Sequence, residues 1–383
     1  MREKVVVVAS LVLALLWAGS AGAQDAGDIR IGVIAPLSGA VPTFGAAIKN
    51  GVAMALKECN DRGGINGHRI VAIYTDGQCR ADLATEAAQK LITQDGVRYI
   101  IGEVCSKASI PVSELANASR VIQVTPTSTN MAVTVDAQGR VKPYIFRACF
   151  VDPFQGLVAA KFATNQLSAR TAFILFDSSN DYVSGLARSF EESFVRLGGT
   201  VVGKRTYSND TTDFSALLAE VRSQQPDLVY LPDYYNVVNL AVKQARRAGI
   251  TCPFMGGDGW DSSDLDMRAT EGCYYTNHFS LEDPRPEVQT FQAAYSAFLS
   301  DSPGKMEPDV IAALGYDSAN LILRAMENAG SDDVDSVRQA LEGIQFHGVT
   351  GRLTFDVSHN PVKSAVIMVV KQHAAHFETL IEP

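Results

Sequence analysis

The sequence predicts an α/β protein of two similar lobes, each a parallel sheet with helices on both faces. Three observations lead there. Short apolar, β-branched runs recur and stop abruptly at small hydroxyl residues, as in VRYIIGEVCSKAS (97–109) and VIQVTPTSTN (121–130), which is how buried parallel strands look at their carboxyl ends. These runs alternate with amphipathic stretches and no hairpin signal intervenes. A second set, starting at Thr171, repeats the first at a displacement of roughly 130 to 140 residues.

The first set opens with a strand at 29–36 (IRIGVIAP), then the loop LSGAVPTFG and a helix at about 46–60, stopped by Arg62-Gly63-Gly64. A strand at 68–76, a helix at 82–94, a strand at 97–104, a helix at 110–118 and a strand at 121–125 follow. In the second set 172–176, 201–207, 227–231 and 253–256 read as strands, and 182–197 and 214–223 as helices. The remainder starts no third domain: helices are expected at 287–299, 313–329 and 334–341, and strands at 351–355 and 365–371. Helices returning to the first lobe and a final strand joining the second would make the chain cross three times, near 147–152, 276–280 and 355–358. Lobe 1 is then 24–149 with 280–355, and lobe 2 is 150–279 with 356–383. Three crossings restrict relative motion to hinge bending.

Residues 1–23 are a different object. Arg2 and Lys4 make a basic start, 5–17 is apolar, and Ala21-Gly22-Ala23 is a small-residue cleavage signal, the pattern of a signal peptide. An uncleaved anchor is the alternative, but the apolar run is short for a span. Losing Arg2, Glu3 and Lys4 removes a net +1, so the formal charge of −9 becomes −10. An acidic, exported, periplasmic protein does not suit nucleic acid as a partner.

Export makes the six cysteines candidates for disulfides. Cys79 and Cys105 each end a strand-like run, so they would share a sheet edge, and this pair is favoured. Cys252 and Cys273 flank another strand pair and are a candidate second bridge, whereas Cys59 and Cys149 read as buried thiols. No CxxC occurs and His373 and His376 have no further ligands nearby, so neither metal nor cofactor is expected.

Ligands in open α/β sheets lie at the carboxyl edge of the strands. Ser106, Thr127, Ser128 and Thr129 would stand together at that edge, and their hydroxyls with the free amides of helix starts make a cradle for a small carboxylate. A serine or threonine after a strand is more often only a helix N-cap. Asp258 lies in GGDGW, where glycines allow the backbone to bend around a guest, although turns commonly carry aspartate. A carboxylate facing a hydroxyl cradle is what a zwitterionic α-amino acid needs.

The segments IRIGVIAPLSG, NDRGGINGHRI, the GQC ending at Cys79, the EVCS ending at Ser106, VTPTST and FMGGDGW together resemble the periplasmic leucine/isoleucine/valine-binding proteins of ABC importers. These are type 1 periplasmic binding proteins, two-lobed "Venus flytrap" receptors. The resemblance runs from about Asp28 to the C-terminal strand. It implies that Ser106, Thr127 and Thr129, with Ser128 beside them, hold the ligand's carboxylate, and that Asp258 holds its ammonium. Family members often have glutamate there, so Asp258 is one methylene shorter. Tyr182 and Tyr234 are implied as the tyrosines that close over the ligand, Phe44 as the aromatic of the first loop, and Cys79–Cys105 as the family's disulfide. Tyr235 competes for the role of Tyr234, since alternate residues of a strand face opposite ways. Val104 is a candidate for the side-chain pocket, and Trp260 for the pocket or its rim.

The expected function is a monomeric binding protein that captures a small aliphatic amino acid and presents it to a membrane permease. The same fold could take an amide, urea or small aromatic acid. An exported hydrolase is disfavoured because GxSxG, GxxxxGK[ST], HExxH and GxGxxG after the first strand are all missing from the sequence.

Overall fold

The computed structural model describes residues 27–301 and 306–382, so the expected signal peptide lies outside the described residues. The chain opens with β1 (Ile29–Ala35), α1 (Pro42–Asp61), β2 (Ile70–Asp76), α2 (Ala81–Thr93), β3 (Tyr99–Ile101), α3 (Ser106–Ala118), β4 (Ile122–Thr125) and β5 (Ile145–Arg147). These five strands form one parallel sheet in the order β2-β1-β3-β4-β5. α1 begins four residues before the expected Ala46 because Pro42 can open a helix, where its missing N–H costs nothing. α3 likewise begins at Ser106 rather than residue 110.

The second unit runs α4 (Asp152–Asn165), β6 (Thr171–Asp177), α5 (Asp181–Arg196), β7 (Thr200–Tyr207), α6 (Ser215–Gln224), β8 (Leu228–Tyr230), α7 (Tyr235–Arg247), β9 (Phe254–Gly256) and β10 (Tyr274–Asn277). The chain then goes back through α8 (Pro286–Phe298), α9 (Val310–Ala329) and α10 (Val334–Glu342) to a small hairpin, β11 (Phe346–Gly348) and β12 (Gly351–Leu353), before β13 (Ala365–Lys371) and β14 (Ala374–Ile381). The second sheet has the order β14-β13-β10-β9-β8-β6-β7. Its last two strands are antiparallel.

α9 belongs with the first sheet. It lies so close to α1 that a Cβ on Gly51 would come within 2.0 Å of the Ala312 carbonyl oxygen, so only glycine fits there. Tyr99 Oη donates to the Asp332 carbonyl (2.6 Å) and Tyr316 Oη to Glu58 (2.7 Å). The chain therefore passes between sheets three times. The first two passages follow Arg147 and Asn277, and the third falls later than the expected 355–358. Phe355 and His359 still pack on Phe146 of β5, with ring centroids 5.2 and 4.2 Å away, and His359 Nδ1 lies 3.0 Å from the Ile145 carbonyl.

The helices α4 and α7 and the strands β10, β11 and β14 were not expected from the sequence. α4 is apolar on nearly every face because it is buried between neighbours, which removes the period that marks an amphipathic helix. α7 is amphipathic, with Val238, Ala241, Val242 and Ala245 on its buried face, so its period was legible in the sequence. The β13–β14 hairpin turns at Gln372-His373, both at positive φ (53° and 61°). That is the two-residue turn that normally announces itself with Asn-Gly; here Glu271 accepts from both amides instead, at 2.9 and 3.0 Å.

Cys79 and Cys105 form a disulfide. Cys252 and Cys273 do not, which corrects the second bridge: the Arg246 guanidinium sits between them, on the Cys252 carbonyl (3.0 Å) and the Cys273 sulfur (3.1 Å). Cys59 and Cys149 are buried thiols. Replacing both Cys79 and Cys105 by Ala is expected to cost about 3 kcal/mol, from the 26-residue separation that the bridge closes, read as a lower urea midpoint under non-reducing conditions.

Candidate ligand site

At the carboxyl ends of the two sheets lies a narrow cavity lined by Phe44, Val104, Ser106, Thr127, Tyr182, Tyr234, Asp258, Gly259 and Ile311. A wider groove on the first sheet's side, among α1, α8 and α9, is lined by mixed charges such as Glu58, Arg62 and Glu327. Of these two, the cavity between the sheets is the one on which the buried polar groups Ser106, Thr127 and Asp258 converge.

From the first lobe, Ser106 starts α3 and is 1 % exposed. Its Oγ accepts from the Asn130 amide (3.2 Å), which leaves its hydrogen free to donate. Helix starts leave N–H groups without intrahelical partners, so α3 adds amide donors. Thr127 donates its own hydrogen to the Val104 carbonyl (2.7 Å) and offers the cavity an acceptor oxygen. Ser128 and Thr129 do not line the cavity. Ser128 Oγ faces Ser109 Oγ (2.6 Å) and the Val104 carbonyl (3.0 Å), and Thr129 is buried beside Asp152. The strand-end run TPTST turns inward at these two positions because Arg147 pulls it there. That fully buried guanidinium donates to Ser128 O (2.6 Å), Asn130 O (2.9 Å) and Thr134 Oγ1 (3.1 Å).

From the second lobe, Asp258 opens a single 3₁₀ turn after β9 and is 4 % exposed. Its Oδ1 accepts from Tyr182 Oη (3.0 Å) and Gln155 Nε2 (2.8 Å), and its Oδ2 faces His278 Nε2 (3.1 Å). Gln155 also donates to Thr276 Oγ1 (2.7 Å). The glycines around Asp258 permit this crowding: a Cβ on Gly257 would lie 2.5 Å from Tyr182 Oη. Tyr182 stacks on Tyr234 with centroids 5.1 Å apart, and burial keeps both phenols far above their ordinary pKa. They serve as neutral donors.

The lobes touch across this cavity. Phe44 meets Tyr234 edge-on at 6.1 Å and Tyr235 at 5.2 Å. Thr43 Oγ1 donates to Tyr235 Oη (2.9 Å) and lies 3.0 Å from Ser262 Oγ. On the other rim Asn130 Nδ2 donates to the Asp181 carbonyl (2.7 Å). Tyr234 thus lines the cavity, while Tyr235 joins the rims beside it. Trp260 is fully buried behind the site, its Nε1 donating to Leu231 O (3.0 Å).

Below these groups two carboxyls are buried. Burial pushes Glu103 up to about 7, against the amides of Cys105, Val104 and Cys79 that lower it, and Asp152 also rises to about 7 through burial, opposed by Thr129 and Arg147.

Gln155, Thr276, His278, Gly259 and Ile311 were not singled out from the sequence. Gln155 lies in the unrecognised α4, and Thr276 and His278 on or after the short β10. Ile311 comes from the start of α9, some 200 residues from the rest of its lobe's rim by the chain order.

Two sheets joined by three passages, closed over a cavity with a carboxylate on one side and hydroxyl and amide donors on the other, define a two-lobed solute-binding protein. The chain belongs to the periplasmic binding protein family, whose model matches residues 28–375. It is 29% identical over 350 residues to a leucine-, isoleucine-, valine-, threonine-, and alanine-binding protein of Pseudomonas aeruginosa, covering 90% of this chain and 91% of that one. Among solved structures, the leucine binding protein LivK of Thermotoga maritima superimposes with a TM-score of 0.86 at 32% identity, over 93% of this chain and 99% of that one. LivJ of Streptococcus pneumoniae, a branched-chain amino acid transporter substrate binding protein in complex with isoleucine, gives 0.85 at 30%, over 93% and 100%.

Proposed function

We propose that this protein is the extracytoplasmic solute-binding component of an ABC importer, capturing a small aliphatic α-amino acid between its lobes and delivering it to a membrane permease. The observation that carries the reading is the opposition of Asp258 to Ser106 and the start of α3 across one narrow cavity. A zwitterion bridges them, its carboxylate on Ser106 and its ammonium on Asp258. Phe44, Val104 and Ile311 supply an apolar wall for a short side chain. The chain acts by binding rather than by catalysis, as a monomer in the periplasm. Lobe 1 (24–149 with 280–355, extended to Asn360 by its packing on the first sheet) and lobe 2 (150–279 with the remainder of 356–383) are the bodies that would hinge. A ligand touching both shifts the open–closed equilibrium by the difference in its affinity for the two forms, and the permease reads the closed shape.

Titration calorimetry against a panel of amino acids, benzoate, urea and aliphatic amides tests this. Binding of leucine, isoleucine or valine in preference to the rest is expected. Saturable binding of an amine-free compound alone would overturn it. Within the panel, Ser106→Ala should weaken the preferred amino acid by about 10- to 100-fold, the value of one hydrogen bond to a charged group.

A further inference from the structure

Of the three donors that converge on Asp258, one belongs to a group that can itself carry charge. His278 follows β10, is 2 % exposed, and lies face to face with Phe150, centroids 3.8 Å apart. Its Nε2 is 3.1 Å from Asp258 Oδ2, while its Nδ1 is buried with no partner. A nitrogen facing a carboxylate carries the proton, and a buried nitrogen with no acceptor is the bare one. The geometry therefore fixes the neutral Nε2–H tautomer.

Building on the proposed capture of an amino acid, we propose that His278 is the positioning residue that reserves the charge of Asp258 for the ligand's ammonium. A short aspartate cannot adjust its reach as a glutamate can, so its carboxylate is aimed by its donors. Tyr182 and Gln155 are neutral donors and leave its charge intact. A neutral His278 does the same; an imidazolium would cancel that charge and compete with the ammonium for one carboxylate.

The surroundings act on this balance from each side. Burial against Phe150 lowers the imidazole's affinity for a proton, Asp258 opposes that, and the buried Lys363, on the segment entering β13, adds to it. From the β5–α4 connection and α4, Cys149 and Asp152 are within electrostatic reach of Asp258, and Arg147 lies beside both. Tyr182, Tyr234 and Tyr230 face Asp258 as neutral phenols, and Asp261, three residues on, is a further carboxyl within its electrostatic reach. The sign follows: protonating His278 weakens ligand binding, so affinity holds near neutral pH and falls toward acid.

The test is amino-acid affinity from about pH 7.5 down to about pH 4.5, a window that reaches below the ordinary histidine range because burial lowers His278, for the wild type, H278Q and H278L. Gln keeps an N–H near the Nε2 position and cannot take a proton. H278L is expected to bind about 10- to 100-fold more weakly near neutrality, for the loss of one donor to a charged group; H278Q should recover most of that. Relative to its own neutral value, the wild type should lose more affinity toward the acid end than H278Q does. Parallel profiles, or H278L equal to wild type, would overturn the proposal. Long-range ¹H–¹⁵N spectra of the ligand-free wild type provide a readout that does not depend on finding a ligand. The His278 ring should be neutral and Nε2-protonated at neutral pH, and an imidazolium or an Nδ1–H tautomer at His278 would sink the inference even if no amino acid bound.

Discussion

Asp258→Ala is expected to reduce amino-acid affinity by about 2–5 kcal/mol, a loss of roughly 30- to several-thousand-fold. The carboxylate is the one negatively charged group in the cavity lining, and it is aimed by three donors. Removing it takes away the counter-charge for the ligand's ammonium. It also leaves Tyr182 Oη, Gln155 Nε2 and His278 Nε2 buried without that acceptor, so part of the loss reflects groups left unpaired. Calorimetry on the variant decides between ligand classes as well. An amine-bearing ligand should be lost, whereas a benzoate or amide ligand would retain its affinity. Retention of leucine binding by a folded Asp258→Ala variant would refute the assigned polarity of the site.

Arg147→Met is expected to lower stability by about 3 kcal/mol or more, measured by urea denaturation. The guanidinium is fully buried and satisfies two carbonyls and one hydroxyl of the 128–134 loop. Met fills similar volume, so packing changes little and the effect reports the lost hydrogen bonds together with the loss of the charge beside Asp152. The variant should also bind ligand less tightly, since Thr127 immediately precedes the anchored Ser128. A stability equal to wild type would show that the loop holds its form unaided.

Much of this architecture was legible because parallel strands advertise themselves. The runs at β1, β3, β4 and β9 are apolar, short and terminated by small residues, and the residues at their ends include Val104, Ser106, Thr127 and Asp258, all in the cavity lining. Phe44, Tyr182 and Tyr234 line it too. Alternation along an emerging segment could not decide how TPTST turns, because the deciding group, Arg147, lies on another strand. Nor could it separate Tyr234 from Tyr235, which sit on the two sides of a helix start and meet the opposite lobe differently. The second layer, Gln155, Thr276 and His278, was invisible for another reason: it is supplied by α4 and by the short β10 and its end, neither of which was expected as an element. Seeing them required knowing which neighbour they face.

Trp260 carries a practical consequence. A recombinant chain starting at Gln24 would contain this one indole, because the other tryptophan is Trp17. Two residues beyond Asp258 and sealed against Leu231 and Tyr275, it is a built-in optical probe of the second lobe, free of background from any other indole. Its emission, blue-shifted while water is kept out, gives a label-free trace of refolding and of ligand-driven rearrangement in a single cuvette.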